Sequence, residues 1–328
     1  MQGSGRDGLL NAPWRMHISP DNLRQRAALI AQIRDFFTQR DVLEVDVPVL
    51  GQCGVTDPHL VNFVTPFTLG QTTTPLFLQT SPEYGMKRML ACGSGCIYYL
   101  GKAFRHEAAG HQHNPEFTML EWYRVGFDDQ ALMSEVDALL QGVLKTEPAD
   151  KITYHAAFLE YADIDIDQAS KADLIAGLAI DSHYDLSAEP IEHILQLIFN
   201  IHIEPKIGTI RPCCVYDFPA SQAALAKLKA DDPRYAHRFE FYFKGLELAN
   251  GYWELTDAQE QIQRFDKDQQ HRNQLGLSMI PTDSRLLAAL SSGVPDCAGV
   301  ALGIDRLVML ALGEQHINNV LSFGIDNA

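Results

Sequence analysis

The sequence has 328 residues, enough to bury a sizeable core, and its hydrophobic fraction of 46% and charged fraction of 21% are those of an ordinary folded protein. Its formal net charge of −16 argues against broad electrostatic binding to nucleic acid, which needs a positive footprint. The six cysteines, Cys53, Cys92, Cys96, Cys213, Cys214 and Cys297, form no CxxC pair, so free thiols in a reducing compartment are expected and a zinc site is not. No apolar leader and no run of 18 apolar residues occurs, so no membrane segment is expected and a cytoplasmic protein is.

Residues 1–15 are rich in Gly and polar groups and read as a flexible lead-in. Asp21 or Asn22 is a candidate cap for a helix through LRQRAALIAQIRDFFTQR. There Leu29, Ile30, Ile33, Phe36 and Phe37 form one stripe at helical period. VLEVDVPVL alternates apolar and acidic residues and reads as a half-buried strand stopped at Pro48. Next come a strand (PLFLQT), a short helix (SPEYGMKRML), a Gly-rich loop and a strand (CIYYLG). EFTMLEWYRVGF then returns after the polar loop Ala108–Pro115, as the second strand of an antiparallel hairpin. Residues 130–200 read as mainly helical and 213–218 as a strand. FEFYFKGLELANGYWEL (239–255) reads as two strands turning near Lys244–Gly245. A Gln-rich helix follows, and CAGVALGIDRLVMLALG closes the chain as a strand running into a helix. No internal repeat or linker appears. The order of elements predicts one α+β domain, residues 16–328, around an antiparallel sheet flanked by helices.

Three segments carry the chemistry. FRHEAAGHQHNPEFTMLEWY (104–123) closely resembles motif 2 of class II aminoacyl-tRNA synthetases in the lysine, aspartate and asparagine branch, with HNPEFTMLE most like lysyl-tRNA synthetase. GVALGIDRLVML (299–310) resembles motif 3, and Leu23–Pro48 resembles motif 1, a long helix and a strand ending at a proline. All three occur in order, from about residue 15 to the C-terminus. The resemblance implies a class II synthetase-like catalytic domain that uses ATP and Mg²⁺ to join an amino-acid carboxylate to AMP.

Such a displacement needs positioning and charge neutralisation more than covalent help. Arg105 offers a bidentate fork for the α-phosphate and carboxylate. Glu107 is expected on the same strand face, where the resemblance gives it the adenine amino group; His106 lies between them. Phe117 offers an aromatic face for adenine, and Arg306 a planar cation on its other side that also meets the γ-phosphate. His113, Asn114, Leu248 and Gly303 complete the ATP set that the resemblance implies. Glu240 and Glu247 would become rough cross-strand partners in a hairpin turning near 243–245. Facing carboxylates call for a cation between them, and the resemblance places Mg²⁺ there. It also gives Glu254 and Tyr123 the substrate ε-ammonium, Glu83 in the Ser81-Pro82-Glu83 loop the substrate's other amine, and Asn250 its carboxylate. Glu254 is expected to follow a turn at Asn250–Gly251. Taken alone, the three glutamates Glu240, Glu247 and Glu254 would read as surface charges, Glu83 as a first-turn helix acid, and His111 and His113 as exposed loop histidines.

Motif 1 begins near residue 23, which leaves no room for the N-terminal OB-fold that reads the anticodon in a lysyl-tRNA synthetase. The resemblance is therefore to the elongation factor P lysine ligase family, truncated paralogues that activate lysine, preferably (R)-β-lysine, and transfer it to a lysine of elongation factor P without tRNA. Lysyl-tRNA synthetases typically read GLGIGIDR at motif 3. Here Ala301 replaces a glycine, and its methyl is expected to favour a shifted amine. The class implies a homodimer through motif 1, although the Leu29–Phe37 stripe has the alternative of burying within the chain. Three other readings compete. A truncated synthetase charging tRNA is opposed by the −16 charge. A silent paralogue is opposed by the intact Arg105, Glu107, Glu240, Glu247 and Arg306 set. A small-molecule amide synthetase acting on aspartate is opposed by Tyr123 and Glu254.

Overall fold

The computed structural model describes residues 14–178 and 185–328. The lead-in, save Trp14 and Arg15, lies outside the described residues, as do 179–184 of the helical stretch. Two compact units emerge: Met1–Glu121 with Ala258–Ser292 and Gly303–Ala328, and Trp122–Asp257 with Gly293–Leu302.

In the first unit, helix α1 (Pro20–Thr38) begins earlier than its expected cap, because Ser19 is the N-cap and its hydroxyl accepts from the Asn22 N–H at 3.1 Å. Pro20, with φ already set for a helix, takes the first position. Ile33 and Phe37 are fully buried within this unit. Burying each side chain contributes about 1.5–3 kcal/mol. The strand expected at 42–50 shrinks to β1 (Leu43–Glu44) and β2 (Leu50–Gly51). Leu43 and Glu44 align with Ile97 and Tyr98 of β5, the Val45 N–H donates to the Tyr98 carbonyl at 2.8 Å, and Pro48 interrupts the run. A small sheet not foreseen in full places β2 and β3 (Val64–Leu69) on either side of β4 (Thr72–Leu78). Helix α2 (Glu83–Ala91) and strands β5 (Ile97–Phe104) and β6 (Glu116–Val125) follow, in the order β1-β5-β6, with β1 parallel to β5.

Strand β6 enters the second unit at Trp122, and helix α3 (Asp129–Leu144) follows it there. The helical stretch contains α4 (Tyr154–Ala162), α5 (Lys171–Gly177) and α6 (Ile191–Ile198), and also an unexpected strand, β7 (Asp150–Thr153). Tyr154, Phe158, Ile194, Ile198 and Phe199 pack there with Phe218 as one apolar cluster. Strands β8 (Cys213–Pro219), β9 (Tyr235–Phe243), β10 (Leu246–Trp253) and β11 (Cys297–Gly303) make the sheet β11-β10-β9-β8-β7. All its pairs are antiparallel except β7 with β8. The β9–β10 turn falls at Lys244 and Gly245, with φ of 52° and 71°. Two positive φ values suit the right-handed twist of a hairpin.

The chain returns to the first unit as α7 (Ala258–Gln274), α8 (Ser284–Gly293, not foreseen) and α9 (Ile304–Leu312). No helix among the described residues is long and apolar enough to cross a membrane.

Candidate active site

The first unit holds the cationic candidates Arg105 and Arg306. Arg105 stands just past β5, and its N–H donates to the Pro115 carbonyl at 2.9 Å, the last rung before the loop. The Glu107 N–H then donates back to the Arg105 carbonyl at 2.9 Å. This three-residue turn ends the strand, so strand alternation does not set Glu107 beside Arg105 as expected. Both nonetheless act on His113, whose imidazole is held below its usual value by burial, by the Arg306 charge and by the Arg105 charge, against an opposing pull from Glu107. The Arg306 guanidinium lies 2.6 Å from His113 Nε2. Arginine can only donate, so Nε2 accepts and the imidazole is neutral.

Arg105 sits over the Phe117 ring, 5.3 Å from its centroid. Its Nε is buried and meets no hydrogen-bond acceptor among the described residues, an arrangement suited to a phosphate or carboxylate oxygen. His106 is exposed, with its ring 4.9 Å from Phe63. Asn114 is buried with its amide already engaged: Nδ2 donates to the Glu116 carbonyl at 2.6 Å and Oδ1 accepts from the Ile325 N–H at 2.9 Å. Gly303 caps α9 and sets Arg306 in that helix's first turn.

Behind Arg306 lies a bracket that sequence reasoning missed. Asp305, almost wholly buried, accepts from the Arg26 guanidinium at 2.6 Å and from the Thr118 N–H at 2.7 Å. Arg26 also donates to Thr118 Oγ1 and to the Val320 carbonyl. The bracket joins segments of motifs 1, 2 and 3.

The Ser81-Pro82-Glu83 loop is also in this unit. Ser81 Oγ donates to Glu121 Oε2 at 2.7 Å and accepts the Glu83 N–H at 3.0 Å. Pro82 is buried at the N-cap of α2. Glu121, buried and missed, was within reach of the sequence. On β6 the period of two places Phe117, Met119, Glu121 and Tyr123 on one face, and only the first and last of these were singled out.

The second unit gathers the carboxylates. Glu240 does not face Glu247: its cross-strand partner is Asn250, and Glu247 pairs with Tyr242. The cause is a bulge between Glu247 and Ala249 that makes Leu248 the extra residue. Two consequences follow. Glu240 and Glu247 become diagonal neighbours across the two strands. Glu247 and Asn250, three apart, share a face that strict alternation would deny them. Leu248 is buried, so only its backbone is available to a ligand. Buried Glu240 accepts from the Arg238 guanidinium, from the Tyr242 hydroxyl and from Asn250 Nδ2, the last at 3.1 Å. Burial and the Glu240 and Glu247 charges hold the Tyr242 phenol far above its usual value, so it remains a donor.

The expected turn at Asn250–Gly251 is absent, because β10 runs straight through it. Gly251 is required by packing, since a Cβ there would lie 2.3 Å from the Phe239 ring. Glu254 is buried beside Tyr123 at Gly299, where an added Cβ would meet Tyr123 Cε1 at 2.4 Å and Glu254 Oε1 at 2.6 Å. Ala301 pairs with Asn250, which places its methyl in the Glu240–Asn250 row.

Residues 13–327 match the family model described as tRNA synthetases class II (D, K and N). The chain belongs to the class II tRNA synthetases. It is 54% identical over 325 residues to the elongation factor P--(R)-β-lysine ligase of Vibrio cholerae, covering 98% of this chain and 100% of that one. It is also 53% identical to the protein of the same name from Vibrio vulnificus, and 50% to that from Avibacterium paragallinarum. Each of these two alignments covers 96% of this chain and 98% of the relative.

Proposed function

We propose that this protein is an AMP-forming ligase that activates lysine, preferably (R)-β-lysine, and joins it to the ε-amine of one lysine on elongation factor P. The observation that carries this reading is the match, over essentially the full length of both chains, to ligases bearing that name. In the first step a substrate carboxylate oxygen attacks the α-phosphorus of ATP and pyrophosphate leaves. In the second the acceptor amine attacks the acyl carbon, an amide forms, and AMP leaves with the carboxylate oxygen.

Residues 16–328 are read as one catalytic domain. Arg105 holds the α-phosphate and the carboxylate, and its unsatisfied Nε supports that role. Arg306, held by His113 in one orientation, meets the γ-phosphate and one adenine face, and Phe117 meets the other. Glu107 takes the adenine amino group. His106, Asn114, Leu248 and Gly303 line the nucleotide, Asn114 and Leu248 through their backbones. Glu83 receives the amine nearer the carboxylate, Tyr123 and Glu254 the ε-ammonium, and Asn250 the carboxylate. A buried carboxylate favours a cationic side chain over a neutral one by charge.

Magnesium fits Glu240 and Glu247: the donors are all hard oxygens, and the adjacent Asn250 Oδ1 is buried with no hydrogen-bond donor among the described residues. Once bound, the ion would neutralise phosphate charge. The reading includes a cytoplasmic homodimer that needs no tRNA, supported by the strongly negative net charge.

Lysine-dependent ATP–pyrophosphate exchange, without tRNA, tests the reading with α-lysine and (R)-β-lysine in parallel. Stronger exchange with β-lysine is expected, abolished by EDTA. Exchange with α-lysine alone would move the reading toward tRNA or a small-molecule acceptor. No exchange from folded, Mg²⁺-loaded protein would end it.

A further inference from the structure

We infer that Lys87 is a positioning residue for the substrate amine, acting through Glu83. This rests on the proposed role of Glu83 above. Lys87 lies one helical turn beyond Glu83 on α2, with its ammonium 2.7 Å from Glu83 Oε1. The Lys87 side chain is only 2% exposed and that of Glu83 16%. A cation is rarely buried so completely, because desolvation opposes it unless a partner is fixed beside it. An ordinary i,i+4 pair on a helix surface needs no such burial and adds little.

The geometry gives the buried pair a use. Glu83 stands in the first turn of α2, and its N–H is tied to Ser81 Oγ, which is tied in turn to buried Glu121. The backbone end of Glu83 is thus fixed by Ser81, and one carboxylate oxygen by Lys87. The other oxygen, Oε2, accepts no hydrogen bond from the described residues. It is the atom presented to an incoming ammonium. Lys87 also offsets the Glu83 charge beside the buried Glu121 carboxylate. Amine recognition then depends on the direction of one oxygen more than on bulk negative charge. A group held this way separates amines attached to neighbouring carbons by position.

The exchange assay on the full chain tests this, with Lys87→Met, Lys87→Arg, Glu83→Gln and the double variant Glu83→Gln, Lys87→Met. Lys87→Met is expected to raise the lysine KM ~10-fold or more, the loss typical of a charged hydrogen bond. The ATP KM should stay within about twofold of wild type, and Lys87→Arg should recover part of the loss. The lysine KM of the double variant should be no worse than that of Glu83→Gln alone, because the carboxylate that Lys87 positions is already gone. An ATP KM that rises with the lysine KM, an unchanged lysine KM, or a double variant worse than Glu83→Gln would each overturn the inference. If Lys87→Met does not fold, the comparison of the double variant with Glu83→Gln decides, since neither leaves an unpaired buried carboxylate at position 83. Absence of wild-type exchange removes the functional reading and this inference with it. Wild-type exchange with any of the overturning results removes the inference alone.

Discussion

At the scale of single residues, several side chains of the candidate site are already engaged by neighbours. His113 is an example with a measurable consequence. Its imidazole is held low, so the folded protein binds that proton less tightly than the unfolded chain, and protons favour unfolding. The contribution is complete above the ordinary imidazole value of about 6.5 and is lost as the pH falls below it, through the folded value. Urea midpoints at pH 7.5 and pH 5.5 should therefore differ more for wild type than for His113→Gln, which keeps an acceptor for Arg306 but does not titrate. Equal differences would show that His113 is not the group responsible. Ala301 is the other residue with a sharp consequence. Its methyl lies in the row that contains Asn250 and Glu240, so Ala301→Gly opens one side-chain position there. Exchange assays should find the ratio of β- to α-lysine activity reduced in Ala301→Gly; an unchanged ratio would remove Ala301 from the specificity.

At the scale of elements, the β9–β10 hairpin shows what a sequence pattern conveys and what it hides. The turn at Lys244–Gly245 was legible, because Gly at that point of an alternating run signals a tight hairpin. Gly245 is exposed, with open space around it and φ of 71°. Gly245→Ala should therefore destabilise by about 1 kcal/mol through backbone strain alone. Denaturant unfolding measures that loss, and the lysine KM should be unchanged. The bulge at Leu248 was not legible. It depends on Leu248 having no partner in β9, and it alone turns Glu247 and Asn250 to the same face. Gly251 misled for a related reason. Asn-Gly commonly marks a turn, but here the glycine exists because the Phe239 ring lies against the strand.

At the scale of the whole molecule, the chain ties distant segments together with few buried charges. Arg26 and Asp305 are 279 positions apart, and their side chains are 13% and 3% exposed. Removing one partner leaves the other buried and unpaired, so Arg26→Met should cost about 3–5 kcal/mol. The thermal midpoint should fall accordingly, and the ATP KM should rise, because Arg306 follows Asp305 directly. A midpoint close to wild type would mean that the bracket is solvated in solution. The free cysteines belong to the same scale: Cys213, pushed up to about 12 by burial, and Cys214, pushed higher still, are packing residues rather than reactive thiols.

Sequence alone determined the class II family, the order of most elements and the hairpin turn at Lys244–Gly245. Those depend on local periodicity, on turn chemistry, and on motifs short enough to read along the chain. Tertiary structure decided which carboxylate faces which, where alternation fails, and which side chains are already engaged. Glu240 opposite Asn250, the turn that ends the strand at Arg105, the inward Asn114 amide and the buried Lys87–Glu83 pair all depend on register, bulges and burial. A one-residue shift in pairing exchanges the two faces of a strand, and residues hundreds of positions apart supply the partners that decide whether a charge is solvated or held.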